Sequence, residues 1–286
     1  MSRNLHFLVV DGYAKAGRED LEAGGATTAG VLYRQMLQRC APGATADILY
    51  PADPGASLPQ GAAIEQYDGI AWTGSSLTIY ATDDPRVSNQ IEFARAAYHS
   101  RVPSFGSCWA AQIAAVAAGG TCAAHPRGRE MGIARKISLT DAGRGHPLYA
   151  GKKTVFDAFI SHDDEVTALP DNGVLLASND YSRVQALSVT HDRGPFWAVQ
   201  YHPEYDLHEM GRLVYCRREK LTRHGFFPDV ETAIAYADDL EALHQDSSRK
   251  DIAWKLGIDA DVMNEDVRIQ EVRNWILYLV QPCVRD

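Results

Sequence analysis

The sequence predicts an α/β fold with a mostly parallel central sheet flanked by helices, followed by a C-terminal helical extension. In residues 5–205, short and nearly continuous apolar runs alternate with longer segments whose apolar residues recur at helical spacing. This alternation is typical of a parallel sheet covered on both faces. From residue 206 onward the patterns are helical. We therefore divide the chain into a main domain, residues 1–205, and a helical extension, residues 206–286, packed on it.

The first elements of the main domain follow one another at short intervals. They are a strand at residues 5–10, a polar, Gly-rich surface loop at 11–25, a helix at 27–39, and strands at 46–50 and 67–72. Residues 85–100 predict a helix, because Val87, Ile91, Ala94 and Tyr98 fall on one face. Further strands are expected at 155–161, 181–189 and 196–201, and the extension contributes helices at 207–223, 230–244, 252–256 and 267–280.

Cys108 lies where a strand is predicted to meet a helix. An apolar strand at residues 102–105 precedes it, and an Ala-rich helix at 111–118 follows. Gly106 and Ala110, two residues to either side, are small enough for the tight turn of a nucleophile elbow. At a helix N-terminus the dipole favours the thiolate, which is the reactive form of cysteine. The alternative is a buried structural cysteine, because free cysteine is among the most buried residue types.

A second motif, His-Pro-Glu at residues 202–204, follows the last predicted strand. His202 can serve as the base for Cys108, and Glu204 can fix the tautomer and orientation of the imidazole. A lone histidine is more often structural, but here it occurs in the same chain as the cysteine turn. His208 nearby raises the question of a metal site. The spacing fits no usual zinc pattern, so no metal site is predicted.

These two motifs together resemble those of the class I (triad) glutamine amidotransferase family, in particular stand-alone proteins similar to the glutaminase domain of GMP synthase. Cys108, His202 and Glu204 match the family's catalytic triad. Residues 106–112, Gly-Ser-Cys-Trp-Ala-Ala-Gln, resemble its Gly-x-Cys-x-Gly-x-Gln pattern, with alanine in place of the second glycine. The resemblance covers residues 5–205 and implies the flavodoxin-like glutamine amidotransferase fold.

The resemblance also implies an oxyanion hole and a substrate pocket. Residues 73–76, Thr-Gly-Ser-Ser, are similar to the family's Gly-rich oxyanion turn, with serine in place of its second glycine. The backbone N–H groups of Ser75 and Trp109 are expected to hold the oxyanion. Residues expected to contact or border the substrate are Gly74, Gln112, Glu130, Gln185 and Ala186. Without the cysteine turn, each of these segments is equally typical of an ordinary turn, helix surface or strand. His162 is expected to be structural.

The resemblance implies an enzyme that hydrolyses the side-chain amide of L-glutamine through a cysteine thioester, giving glutamate and ammonia for a separate synthetase partner. One alternative is a γ-glutamyl amide hydrolase acting on another γ-glutamyl amine. Another is a non-catalytic regulatory protein of the same fold, against which the intact cysteine, histidine and glutamate argue. The mechanism needs no metal or organic cofactor. No Gly-x-x-x-x-Gly-Lys phosphate loop occurs in the chain.

Composition narrows the expected partners and location. The formal net charge is -9 and no basic patch stands out, so nucleic acid is not an expected partner. No apolar run is long enough to predict a membrane span, and no signal peptide is visible. The five cysteines are widely spaced, which indicates reduced thiols and a cytoplasmic location. The sequence leaves a homodimer open.

Overall fold

The computed structural model of the chain describes residues 4–59 and 61–285. Within these ranges, eleven strands form a nine-stranded sheet and a separate two-stranded sheet. The strands are β1 (His6–Val10), β2 (Thr45–Leu49), β3 (Gly69–Trp72), β4 (Ser104–Ser107), β5 (Thr121–Ala124), β6 (Glu130–Leu139), β7 (Val155–His162), β8 (Asp164–Ala168), β9 (Gly173–Ser178), β10 (Ala186–His191) and β11 (Gly194–Val199).

The nine-stranded sheet has a parallel half and an antiparallel half. Its order is β2-β1-β3-β4-β11-β10-β9-β6-β7, and the strands from β2 to β11 in this order are parallel. The strands from β11 to β7 pair antiparallel. The predicted α/β fold, with a parallel central sheet flanked by helices, is confirmed. The antiparallel half is longer than the sequence indicated, because β5, β6, β8 and β9 give no clear apolar pattern.

Helices cover both faces of the sheet and continue to the C-terminus. They are α1 (Lys15–Ala23), α2 (Ala29–Cys40), α3 (Pro85–Ser100), α4 (Trp109–Ala117), α5 (Asp141–Gly145), α6 (Leu207–Arg223), α7 (Val230–Gln245), α8 (Lys250–Leu256), α9 (Ala260–Met263), α10 (Glu265–Arg268), α11 (Gln270–Trp275) and α12 (Gln281–Arg285). Short 3₁₀ turns lie at Ile64–Gln66 and Pro147–Tyr149, and a π-helical turn at Ile276–Val280. No helix within the described ranges has the length and apolarity that a membrane crossing requires.

The predicted helix at residues 85–100 is confirmed with the same bounds, because its ends carry strong local signals. The Asp84 side chain accepts a hydrogen bond from the Arg86 amide, and Pro85 occupies the first turn. The prediction of a loop over residues 11–25 is wrong, since α1 lies there. Only Leu21 of this helix is buried, so the sequence offers no apolar periodicity to reveal it.

The last helices pack onto the main sheet through the Trp275 side chain. This ring lies 5.6 Å from the Phe7 ring and 5.8 Å from the Phe105 ring, measured between centroids. A Cβ atom at Gly69 would lie 2.8 Å from the indole, so glycine is the residue that admits it. The apolar stripe of the last helix therefore faces the core. The domain boundary at residue 205 stays a prediction.

Candidate active site

Cys108 occupies a sharp turn between β4 and α4. Its backbone has φ 53° and ψ −101°, and its amide donates to the Val199 carbonyl at 2.8 Å. A left-handed φ at a residue other than glycine costs about 1–3 kcal/mol and is concentrated at functional sites. A Cβ atom at Gly106 would lie 2.4 Å from the Ala110 Cβ and 2.5 Å from the Trp72 carbonyl oxygen. The close approach of strand and helix therefore requires the small residues on which the elbow was predicted.

The His202 side chain faces the Cys108 thiol, three residues beyond the end of β11. Its Nδ1 lies 2.6 Å from Glu204 Oε1, and both side chains are buried. Its Nε2 has no oxygen or nitrogen partner and interacts with the Cys108 sulfur. Gly74 closes the other side, because a Cβ there would lie 3.2 Å from His202 Cε1 and 3.7 Å from Cys108 Cβ. The histidine thus links the carboxylate to the thiol.

The electrostatics of this cluster favour a charged imidazole. Burial opposes the charge, but the Glu204 carboxylate, with hydrogen bonds from Cys108 and Glu204, raises the pKa of His202 from 6.5 to about 10. His202 therefore carries both ring protons at neutral pH. A cationic imidazole beside a cysteine is the arrangement that favours a thiolate nucleophile. It also holds a proton ready for a leaving amine.

A chain of buried hydrogen bonds orients the histidine. The Tyr33 hydroxyl donates to Ser107 Oγ at 2.6 Å, and Ser107 Oγ donates to Glu204 Oε1 at 3.0 Å. The Tyr205 ring stacks on His202 with a centroid separation of 4.1 Å and an interplanar angle of 7°. The imidazole is therefore fixed both at its edge and on its face, as a general base or acid requires.

Replacement of Glu204 by glutamine should lower kcat by about 10⁴-fold, since the amide neither selects the Nδ1–H tautomer reliably nor stabilises the imidazolium. Loss of the carboxylate charge also lowers the pKa of His202. The alkaline limb of the kcat/KM profile, where the enzyme loses the His202 proton, should therefore move to lower pH. A pH series on Glu204→Gln and wild type measures both effects. Ser107→Ala, which keeps the carboxylate, is the matched control, and an unmoved alkaline limb in Glu204→Gln would contradict the assignment.

The two amides predicted for the oxyanion hole lie at the pocket wall beside the sulfur. Within residues 4–59 and 61–285, neither the Ser75 amide nor the Trp109 amide donates to an acceptor. Ser75 Oγ donates to the Gly12 carbonyl at 2.8 Å, and Trp109 Nε1 donates to Gln90 Oε1 at 2.9 Å. The side chains thus anchor both turns and leave the amides free for a ligand.

The serine that replaces the family's second glycine creates no strain. Neither Gly74 nor Ser75 has a left-handed φ. A Cβ atom at Gly12 would lie 2.9 Å from the Gly74 carbonyl oxygen and 3.1 Å from Ser75 Cβ, so the oxyanion turn packs tightly on the loop after β1. The assignment of Ser75 and Trp109 to the oxyanion hole stays a prediction, with a geometry compatible with it.

Cys108 opens into a small polar pocket of about 110 Å³. Its other lining residues are Ser75, Ser76, Leu77, Thr78, Trp109, Gln112, Arg129, Ser161, His162, Asp163, Asp164, Arg217 and Lys220. Gln112 Nε2 donates to the Asp164 carbonyl at 3.2 Å, while its buried Oε1 has no partner. An unpartnered buried acceptor is costly, and a ligand ammonium group would satisfy it.

Three of the predicted substrate residues lie behind the pocket wall. Glu130 Oε2 is 3.0 Å from His162 Nε2 and accepts from Gln185 Nε2 at 3.0 Å. Ala186 is fully buried at the start of β10. His162 itself is on the wall, where Nδ1 lies 2.8 Å from the Asp164 carbonyl oxygen. Glu130 and Gln185 thus hold His162 in place, and a direct contact of Glu130, Gln185 or Ala186 with substrate stays a prediction.

The sequence analysis missed two cations of this pocket, Arg217 and Lys220. Both come from α6, beyond the residues that carry the resemblance. In the sequence they are two basic residues among many in a charged helix, so no local signal marks them. His208, the other histidine of interest, pairs with Glu241 at 2.9 Å and takes no part in the pocket.

Comparison with known proteins gives the same family from sequence and from structure. The family model for class-I glutamine amidotransferase matches residues 60–218. The chain is 33% identical over 98% of its length to a γ-glutamyl-L-1-hydroxyisopropylamide hydrolase from a Pseudomonas species, and covers 95% of that protein. It is 27% identical, over 52% of its length, to the glutamine-hydrolysing GMP synthase subunit of Ignicoccus hospitalis, of which it covers 73%.

Two solved structures show the same fold. A glutamine amidotransferase from Thermotoga maritima aligns with a TM-score of 0.69 at 14% identity, over 98% of this chain and all of that one. A GMP synthase subunit from Thermoplasma acidophilum aligns with a TM-score of 0.52 at 20% identity, over 72% of this chain and 87% of that one. From its sequence, its fold and the cysteine elbow beside a histidine and a glutamate, the chain belongs to the class-I glutamine amidotransferase family.

Proposed function

We propose that this protein hydrolyses a γ-glutamyl amide whose nitrogen carries an organic substituent, releasing glutamate and the free amine. The observation that carries the proposal is a cleft of about 620 Å³ between α1 and α6. The cleft shares Ser76 and Arg217 with the Cys108 pocket, so the two are continuous. Glutamine ends at its amide nitrogen and has no group to occupy such a cleft, whereas a substituted amide does.

The similarity to known proteins supports the same choice. The relative that covers nearly the whole chain, including α1 and α6, is a hydrolase of a substituted γ-glutamyl amide. The similarity to the GMP synthase subunit covers about half of the chain. Both the cleft and the length of the similarity therefore favour the hydrolase over the glutaminase that the sequence motifs alone put first.

The reaction follows from the groups around Cys108. The thiolate attacks the γ-carbonyl carbon, and the oxyanion that forms accepts hydrogen bonds from the Ser75 and Trp109 amides. His202 gives its Nε2 proton to the nitrogen, the C–N bond breaks, and the amine leaves the γ-glutamyl thioester. A water molecule then attacks the thioester and loses a proton to His202. The C–S bond breaks, which releases glutamate and restores the thiolate and the imidazolium.

Glutamine hydrolysis with ammonia delivery to a separate synthetase is the second candidate. The similarity to a GMP synthase subunit favours it, since that protein is one part of a multi-part enzyme by its name. The 110 Å³ pocket at Cys108 suits a small amide equally well. A non-catalytic role is disfavoured, because His202 and Glu204 are held in a catalytic orientation that binding alone does not require.

Glutamate release from glutamine and from a panel of N-substituted γ-glutamyl amides separates the two candidates. We expect one substituted amide to exceed glutamine in kcat/KM by at least about tenfold, equivalent to about 1.4 kcal/mol of transition-state stabilisation. Asp20→Trp, which narrows the cleft from an exposed position on α1, should lower turnover of the bulky amide and spare glutamine. Glu19→Trp, on the same helix outside the cleft, is the control. Faster turnover of glutamine than of every substituted amide would favour the glutaminase.

A further inference from the structure

We propose that Arg217, on α6, binds the α-carboxylate of the γ-glutamyl substrate and makes the enzyme specific for a free acid at that position. The inference rests on the proposed function and adds a specificity residue from the helical extension. Arg217 lines both the Cys108 pocket and the adjoining cleft. It therefore stands where the glutamyl part of a substrate meets the rest of the molecule.

Ser161 fixes the position of the Arg217 guanidinium relative to the nucleophile. Arg217 Nη1 donates to Ser161 Oγ at 2.8 Å, and Arg129 Nη1 donates to the same oxygen at 2.8 Å. The carbonyl oxygen of Ser161 lies 3.5 Å from Cys108 Sγ. One residue thus contacts both the thiol and the guanidinium, which keeps them a short distance apart.

The charges of the pocket leave Arg217 without an anion. Arg129 forms an ion pair with Asp163, and Lys220 Nζ is 3.3 Å from the same carboxylate. Asp164 accepts from the Tyr80 hydroxyl at 3.0 Å. Within the described residues, Arg217 has no carboxylate within ion-pair distance, and its partners are the Ser161 and Tyr13 hydroxyls.

The wall of the pocket therefore carries an excess of positive charge. Its cations are Arg129, Arg217 and Lys220, and its carboxylates are Asp163 and Asp164. A guanidinium removed from water without a counterion is unfavourable, and its planar donor pair matches a carboxylate. The pocket thus lacks one carboxylate, and the α-carboxylate of a γ-glutamyl group supplies one.

The dimensions of the γ-glutamyl group suit this assignment. When its γ-carbon is bonded to the Cys108 sulfur, the α-carboxylate carbon lies four carbon–carbon bonds away, a span of about 5 Å. The α-ammonium group attached to the same carbon chain has its own acceptor, the buried and unpartnered Gln112 Oε1. The two charged groups of the glutamyl moiety therefore each meet a complementary atom of the pocket that no protein group occupies.

The test compares ligands that differ only at the α-carboxylate. In a Cys108→Ala background, calorimetry measures binding of L-glutamine and of its α-carboxamide, so the result does not depend on turnover. We expect the protein with Arg217 to prefer the acid by about 10- to 100-fold, the usual effect of a hydrogen bond to a charged group. Arg217→Met should abolish this preference by weakening the acid alone, and Arg217→Lys should retain part of it.

Arg223→Met is the matched control, because it removes the same charge from an exposed position on the same helix outside both the pocket and the cleft. It should bind both ligands as the parent does. Equal weakening of acid and carboxamide in Arg217→Met would mean a purely structural role and overturn the proposal, as would an unchanged preference. Failure of the proposed function looks different: the preference for the acid is present, while no substituted amide is hydrolysed by the active enzyme.

Discussion

Cys108→Ala should lower glutamate release from any γ-glutamyl amide by about 10⁴- to 10⁶-fold, the usual loss when the nucleophile of a triad is removed. The fold should persist, because alanine keeps the Cβ atom and the backbone of the elbow is held by the bond from the residue 108 amide to Val199. His202→Ala should lose a comparable factor, and the double variant little more, since the two groups act as a unit. Steady-state assays on the three variants measure this.

Covalent labelling provides an independent measurement of the same assignment. A glutamine-like diazo-ketone should add one label to the wild-type protein, on Cys108. Burial raises the pKa of Cys40 and that of Cys122 to about 12, so neither is a thiolate at neutral pH. Peptide mapping locates the label, and Cys122→Ala, which should label fully, is the control. A label on another cysteine, or full turnover by Cys108→Ala, would disprove the assignment.

The sequence revealed the parts of the site that depend on local geometry. A strand, a tight turn and a helix impose small residues at fixed distances from the nucleophile, and Gly106 and Ala110 meet that requirement. His202 and Glu204 are two residues apart, so their pairing also follows from local sequence. Features of this kind can be recognised without knowledge of the tertiary fold.

The parts that were missed depend on contacts between distant segments. Arg217 reaches the pocket because α6 packs beside α1, and no short pattern encodes that packing. Ser161 lies next to the Cys108 sulfur although β7 and β4 are separated by four strands in the sheet. The antiparallel half must therefore curl back toward the elbow. Glu130 and Gln185 stand behind the wall for the same reason: the curvature turns His162, rather than these two residues, toward the pocket.

The helical extension is fastened to the main sheet by a buried ion pair, which leads to a prediction about stability. Lys152 Nζ lies 2.9 Å from Glu271 Oε2, and the two side chains are only 4% and 0% exposed. The hydroxyl of Tyr201, the residue before His202, donates to Glu271 Oε1 at 2.5 Å. The carboxylate on α11 is therefore bonded to both the Lys152 ammonium and the segment that carries the catalytic histidine.

Glu271→Leu should lower the free energy of unfolding by about 3–5 kcal/mol, because it leaves the Lys152 ammonium buried without a counterion. Urea denaturation followed by far-UV circular dichroism measures the change. The double variant Lys152→Met/Glu271→Leu should recover most of the loss, since it removes both charges. Asp251→Leu breaks the exposed pair with Arg249 and should cost at most about 1 kcal/mol. A loss in Glu271→Leu no larger than in Asp251→Leu would show that the buried pair does not hold the extension in place. A double variant no more stable than Glu271→Leu would instead trace the loss to the bond with Tyr201, because that bond is absent from both.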